Sequence, residues 1–216
     1  MINNFNFPEG VKWSFNYVSG PDFFSDDFKF STAEKLFYYY TGSIIKYLDI
    51  SNATSARNMF YGCGNLISIP QLDTSNVTTL NSIFYGCSNL LSIPQLNTSN
   101  VTNISYMFQG CIYLKSIPLL DCSNVTRAYD ILNPSYYGDQ VHLTYMGGFK
   151  NIKVDFDIRK APNLTVQSLM NVINNLYDFR ANGESTTKTL QLGTTNLNKL
   201  TDEQKAVAVN KGWNLT

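Results

Sequence analysis

Charge is what this chain has least of. Only 15% of its 216 residues are Asp, Glu, Lys or Arg, against about 25% in ordinary globular proteins, and 16 basic residues balance 16 acidic ones. A nucleic-acid binder needs a basic footprint, so that class is excluded as an expectation. There is one histidine, His142, and no GxSxG or P-loop sequence, so the usual nucleophilic and phosphate-handling constellations are missing. The carboxylate pairs Asp26-Asp27 and Asp155/Asp157 carry no mark of a paired acid and base. No enzyme and no cofactor are expected. The four cysteines form no CxxC pair, which argues against zinc. No apolar run approaches the roughly 20 residues of a membrane span. The first residues, Met1-Ile-Asn-Asn-Phe-Asn-Phe-Pro, have no basic or apolar region of the secretory kind, so no signal peptide is expected there.

What is abundant is apolar and aromatic: 44% hydrophobic residues and 14% aromatic, enough for a sizeable core. The distribution is uneven. Fourteen of the 30 aromatics fall in the first 50 residues, whereas Asn58 to Asn124 holds only three charges, Asp73, Lys115 and Asp121. That uncharged middle is repetitive, with a period of 24. Leu48-Asp-Ile-Ser-Asn-Ala-Thr54 recurs as Leu72-Asp-Thr-Ser-Asn-Val-Thr78, Leu96-Asn-Thr-Ser-Asn-Val-Thr102 and Leu120-Asp-Cys-Ser-Asn-Val-Thr126. In the same step Met59-Phe-Tyr-Gly-Cys63 returns as Ile83-Phe-Tyr-Gly-Cys87 and Met107-Phe-Gln-Gly-Cys111. Leu66-x-x-Ile69-Pro70-x-Leu72 does the same at Leu90 and Leu114.

Each repeat divides into two parts. Thr74-Ser75-Asn76 precedes Val77, Leu80, Ile83 and Phe84, a spacing that predicts one face of a short helix stopped by Gly86. The segment Leu90 to Leu96 predicts a short strand interrupted by Pro94. One such unit cannot bury its own apolar side, but stacked copies can, so a solenoid is expected. Segments near 67–70, 91–94 and 115–118 are predicted to pair in parallel, with Leu66, Ile69, Leu72 and their equivalents inside.

Over residues 46 to 126 the chain resembles the BspA-like leucine-rich repeat proteins, in the branch whose repeats read roughly LDTSNVTNMSYMFYGCSNLTSIP. Leu164 to Thr216, ending Lys211-Gly-Trp-Asn-Leu-Thr, is similar to the tail that closes such arrays. The resemblance implies an α/β leucine-rich-repeat solenoid of 24-residue coils, with caps at both ends. It also implies adhesion or recognition, at a bacterial cell surface or in a gut bacteriophage particle. A protein or glycan partner follows from it, and a structural role in a virion, fibre or assembly is the alternative. Oligomeric state separates the two, a stable trimer or larger assembly favouring the structural role.

The flanks read as caps. Residues 1–45 form an aromatic-rich N-terminal cap, with a strand over Val11 to Tyr17 and a capping box at Ser31-Thr-Ala-Glu34 opening a short helix. Leu36-Phe37-Tyr38 matches Met59-Phe60-Tyr61 as a worn repeat displaced by 23. The solenoid spans 46–158, with an insertion near 127–142. Leu143-x-x-Met146-x-x-Phe149 resumes the pattern 29 residues on, which implies five inserted residues. Residues 159–216 form the C-terminal α/β cap. Strands are expected over 154–158 and 189–192, and helices over 164–176 and 202–211, the latter with Thr201 and Gln204 as capping box.

Three features invite a functional and a plain reading. The ladder Cys63, Cys87, Cys111 is spaced for a disulfide, but buried thiols packing as small apolar groups is the simpler account. The oxygen-rich ladder Asp49, Asp73, Asn97, Asp121 suits Ca²⁺, but equally the satisfaction of loose backbone groups at a turn. Sequons at Asn52, Asn76, Asn100, Asn103, Asn124, Asn163 and Asn214 follow mainly from repetition. For binding, stacking lines up Tyr61, Tyr85 and Gln109 as one outward stripe and Ile67, Leu91 and Lys115 as another. Gln71 and Gln95 continue the polar rows, and the insertion adds Tyr136 and Tyr137. Exposed apolar patches mark contacts, although Tyr61 and Tyr85 can equally lean over the coil and pack.

Overall fold

The structure, a computed structural model, describes residues 31–45, 47–133 and 141–216. The expected strand over Val11 to Tyr17, and Tyr136 and Tyr137, lie outside the described residues. From Ala33 to Asn133 the chain climbs in turns of 24 residues, the first of 23, each hydrogen-bonded to the next along two separate tracks.

The first track carries the expected strands. Ile67 N donates to Ser43 O at 2.9 Å, Leu91 N to Ile67 O at 3.2 Å and Lys115 N to Leu91 O at 2.9 Å. Single parallel bridges join Ile44 with Ser68 and Ser92 with Ser116. Pairing widens only at the end of the track. There β1 (Ser116–Ile117) and β2 (Leu120–Asp121) pair in parallel with β3 (Tyr145–Met146) and β4 (Phe149–Lys150). The partners Ile117 with Met146 and Leu120 with Phe149 stand 29 residues apart, the predicted five-residue displacement. Strands stay this short because Pro70, Pro94 and Pro118 supply no N–H to the ladder. Leu66, Leu72, Ile93 and Ile117 are buried, and Ile69 packs half-buried against them.

The second track corrects the sequence reading. No α-helix forms over 77–84 or its equivalents. Ala56, Asn58, Phe60 and Gly62 donate their N–H groups to Thr79, Asn81, Ile83 and Tyr85 of the following coil, at 2.6–3.1 Å. The amides between them, Met59, Tyr61 and Cys63, close turns onto residues three back. Asn58, Ser82 and Tyr106 hold φ of 55°, 55° and 60°, one left-handed non-glycine residue per coil besides the glycine four residues on, which an α-helix cannot contain. A helix of two turns is costly to nucleate. Here an identical neighbour at strand distance offers acceptors, so half the amides go there instead. The segment after Ser31 makes the same choice. Glu34 accepts from Ser55 Oγ at 2.7 Å, and Lys35 N donates to Arg57 O, so the predicted capping box opens no helix.

The tracks run in opposite senses. N–H groups of the turn track point toward the C-terminal coil, while those of Ile67, Leu91 and Lys115 on the strand track, and Thr78, Thr102 and Thr126 donating to Thr54, Thr78 and Thr102, point back; at β2 Leu120 and Cys122 donate onward, to Gly148 and Lys150.

Between the tracks lies a core of columns. Phe60 stacks on Phe84 and Phe84 on Phe108, with ring centroids 5.6 and 5.8 Å apart, and Phe37 joins at 5.5 Å with the predicted offset of 23. Phe60, Phe84 and Phe108 are fully buried, and each such ring contributes about 2 kcal/mol through the area it removes from water.

After Phe149 the architecture changes. β5 (Phe156–Asp157), β6 (Lys188–Gln191) and β7 (Trp213–Leu215) form a parallel sheet in that order, with α1 (Val166–Asn175), α2 (Gly193–Leu197) and α3 (Asp202–Asn210) between them. Thr165 caps α1 by accepting from Ser168 N, and Thr201 with Gln204 makes the predicted capping box of α3. Gly212, at φ 92°, follows α3 as its stop. α1 also covers the open edge of β3. Met146 N donates to Ser168 Oγ, Asn171 Nδ2 donates to Met146 O, and Asn151 N donates to Asn175 O. Gly148 permits this closeness, and Gly147 permits that of the preceding coil. A Cβ on Gly147 would lie 2.4 Å from Leu119 N, and one on Gly148 2.9 Å from Asn171 O.

Candidate functional site

The coils present two kinds of surface, and the difference begins with what their polar side chains do. At the Leu-Asp-Thr-Ser-Asn corner every coil repeats one wiring. Asp49, Asp73, Asn97 and Asp121 each accept, through Oδ1, the amide two residues on, at 2.8–3.2 Å. Asn76, Asn100 and Asn124 donate Nδ2 to the carbonyls of Ser51, Ser75 and Ser99 in the preceding coil at 2.6–2.7 Å. Thr78, Thr102 and Thr126 donate their hydroxyls to Thr54, Thr78 and Thr102 in the same direction. The Ser75 hydroxyl and amide hold the Asp73 carboxyl below its ordinary range. This corner is fastening. Among the described residues no group of His, Cys, Asp and Glu is arranged to hold a metal ion.

The thiols are equally committed. Cys63, Cys87 and Cys111 are buried and free, and each donates Sγ–H to a carbonyl of the preceding coil, Phe37, Phe60 and Phe84, at 2.9–3.0 Å. Burial pushes the Cys87, Cys111 and Cys122 thiols up, away from the reactive thiolate. They pack as apolar groups.

Tyr61 and Tyr85, on the turn track, stack with centroids 4.4 Å apart and planes 2° from parallel, and Tyr38 extends the pile at 4.9 Å. Gly86 N donates to Gln109 O, which continues the stripe. Burial, and then Tyr85 itself, push the Tyr61 hydroxyl up to about 12. Both faces of the Tyr61 ring are spent on Tyr38 and Tyr85.

The strand track differs. Ile67 and Leu91 are 43% and 39% exposed, and Lys115 follows them in register. Beside them runs the row Ile44, Ser68, Ser92, Ser116, Tyr145, in which Ile44 pairs with Ser68, and Ser116 with both Ser92 and Tyr145. Gln71 and Gln95 lie on the far side of the prolines. Each donates Nε2 one coil onward, to Gln95 O at 2.6 Å and Leu119 O at 2.7 Å, so their Oε1 atoms remain as acceptors. The Ser68, Ser92 and Ser116 hydroxyls make no hydrogen bond among the described residues.

Sequence reasoning missed the end of this face. Tyr113, Leu119 and Tyr145 are 47%, 38% and 48% exposed, and the Tyr113 ring stacks on His142 at 5.5 Å and 19°. The signal was present in the displacement of 29, which carries Tyr113 onto His142. Tyr61, Tyr85 and Gln109 thus share the turn track, whereas Ile67, Leu91, Lys115, Gln71 and Gln95 share the strand track.

Residues 29–140 match the family described as Mycoplasma protein of unknown function, DUF285. Neither a curated protein nor a solved structure matches the chain. No helix among the described residues is long and apolar enough to cross a membrane.

Proposed function

The chain belongs to this DUF285 family, and from that premise we propose that it is a non-enzymatic recognition module. In this reading it is a short α/β leucine-rich-repeat solenoid of the BspA-like kind, closed by caps, which binds a protein or glycan through its strand-track face. Its setting is a bacterial surface or a phage particle.

One observation carries the reading. Exposed polar side chains at the corners are used up in holding coils together, while the strand track leaves Ile67, Leu91, Tyr113, Leu119 and Tyr145 open to water beside free serine hydroxyls. Contiguous exposed apolar groups cost solubility and are characteristic of contact surfaces. Tyr, Ser, Asn and Gln also supply the rigid rings and adaptable hydrogen bonds of a paratope. Tyr61 and Tyr85 offer edges and hydroxyls, and Gln109 an amide, as a secondary surface.

The test pairs Ile67→Ser with Leu91→Ser and screens the protein against immobilised glycans and extracellular proteins. Ligands retained by the native chain should be lost by the double variant, with the melting temperature unchanged. A double variant that keeps every ligand would overturn the reading. A stable trimer or larger assembly in ultracentrifugation, with no ligand retained, would favour a virion or assembly component instead.

A further inference from the structure

We propose that the strand-track face takes an extended, uncharged polysaccharide laid along the array, one sugar unit to a coil, with Tyr113 as its aromatic stop. The proposal rests on the recognition reading above and gives that face its ligand class.

Charge comes first. Across 65–71, 89–95, 113–119 and 142–145, four successive stretches of this face, Lys115 is the only permanently charged side chain. A polyanion would find one cation, and a charged peptide nothing to balance it. The face complements a neutral ligand.

Period comes second. Coils on a parallel ladder stand about 4.8 Å apart, close to the length of one sugar ring in an extended chain. The same polar groups recur at each step. Ser68, Ser92 and Ser116 offer unpartnered hydroxyls, and Gln71 and Gln95, their Nε2 groups fastened to the next coil, offer acceptors held in place. A ligand whose own hydroxyls recur once per unit meets the same partners each time. A folded protein does not repeat at this distance, and its hot spots seek a central apolar pocket. Here the centre of the face is hydroxyl and amide.

The ring comes third. His142 covers one side of Tyr113. The other side looks toward the coil of Asn89, whose shorter side chain is turned away to donate to Gly64 O at 2.8 Å. Tyr113 therefore stands as a wall with an open apolar face at the end of the polar rows. The apolar C–H edge of the terminal sugar meets that face end-on, while hydroxyls along the chain reach the serines. Ile67 and Leu91 line the same path and cover the remaining C–H groups.

The experiment is calorimetric titration of the full chain with neutral oligosaccharides from disaccharide to hexasaccharide, built from glucose, mannose, galactose or N-acetylhexosamine. Affinity in at least one series should climb with length until the coils of Ile67 and Leu91 are spanned and Tyr113 is reached, then level off, with little response to salt. Tyr113→Ala should weaken the longer members about tenfold, the size of one aromatic contact, and Ser92→Ala should weaken them less. Both residues are exposed, so melting temperature serves as the control. If no neutral series binds, while a protein ligand is held and is lost with Leu91→Ser, the saccharide assignment is wrong and the recognition reading stands. If saccharides bind but neither Tyr113→Ala nor Leu91→Ser affects them, the face itself is wrong.

Discussion

The array and the section that closes it solve the same problem differently. From Ala33 to Asn133 half the turn-track amides are satisfied by the next coil, and no α-helix occurs among the described residues there. From Val141 onward, α1 and α3 satisfy their own amides and are capped by their own threonines. Even the loose carbonyls are met locally. Lys211 Nζ donates to Ile173, Asn174 and Leu176 at the end of α1, and Lys199 Nζ to Pro162 and Leu164. A coil inside an array can leave its hydrogen bonds to an identical neighbour. A coil at the end cannot, and a helix is the unit that completes itself. The array is therefore cooperative by necessity, and the closing section is built of parts that tolerate separate injury.

The strongest attempt to break that contrast is Ile93→Asp. A charge placed in the shared core should cost several kcal/mol. The near-ultraviolet signal of the Tyr38, Tyr61 and Tyr85 pile should vanish in one step, and Cys63, Cys87 and Cys111 should all become reactive together. Loss of one coil alone, with the other thiols still protected, would show that coils are independent. Next is Gly147→Ala at the junction, where the added Cβ meets the Leu119 backbone. About 3 kcal/mol should be lost in denaturant titration, and amides of β3 and α1 should exchange faster. Thr201→Ala is a local injury. It removes the capping box of α3, should cost about 1 kcal/mol, and should show in Trp213 fluorescence while the tyrosine signal holds. The smallest effect is a gain. Asp130, exposed at φ 47°, should prefer to be glycine, and Asp130→Gly should raise stability by about 0.5 kcal/mol in thermal melts.

The same contrast explains what could be read from residues alone. Register was legible throughout. The offsets of 23, 24 and 29 taken from Met59, Leu66 and Leu143 are the offsets of the Phe37–Phe60 stack, the strand track and the β1–β3 pair. Of the closing helices α1 and α3 were legible too, because Leu169, Val172, Ile173 and Leu176 have the spacing of a single buried stripe and Thr201 carries its capping partner, whereas the five-residue α2 was not expected. The turn track was not. Val77, Leu80, Ile83 and Phe84 keep the three- and four-residue spacing of a helix, yet the same spacing serves a stack of turns that close three residues back. What decides between them is an acceptor on another coil, which no local pattern contains. β7, with three residues, was too short to register, and it forms because β6 offers an edge. At the candidate site, Ile67, Leu91, Gln71 and Gln95 followed from alternation, whereas Tyr113, His142 and Tyr145 required the register to be carried across the insertion.

The opposed tracks have an electrical consequence. Peptide dipoles that all pointed along the array would add coil by coil, leaving partial charge at its two ends as in a single helix. In this chain the turn-track amides point one way, and those of Ile67, Leu91 and Lys115 on the strand track and of the threonine corner point the other. Their fields partly cancel, so the ends of the array carry little of the charge that a growing macrodipole would place there. A coil added or deleted in the middle then leaves the potential at either end nearly as it was. For a face whose ligand is neutral, array length becomes a matter of reach rather than of field.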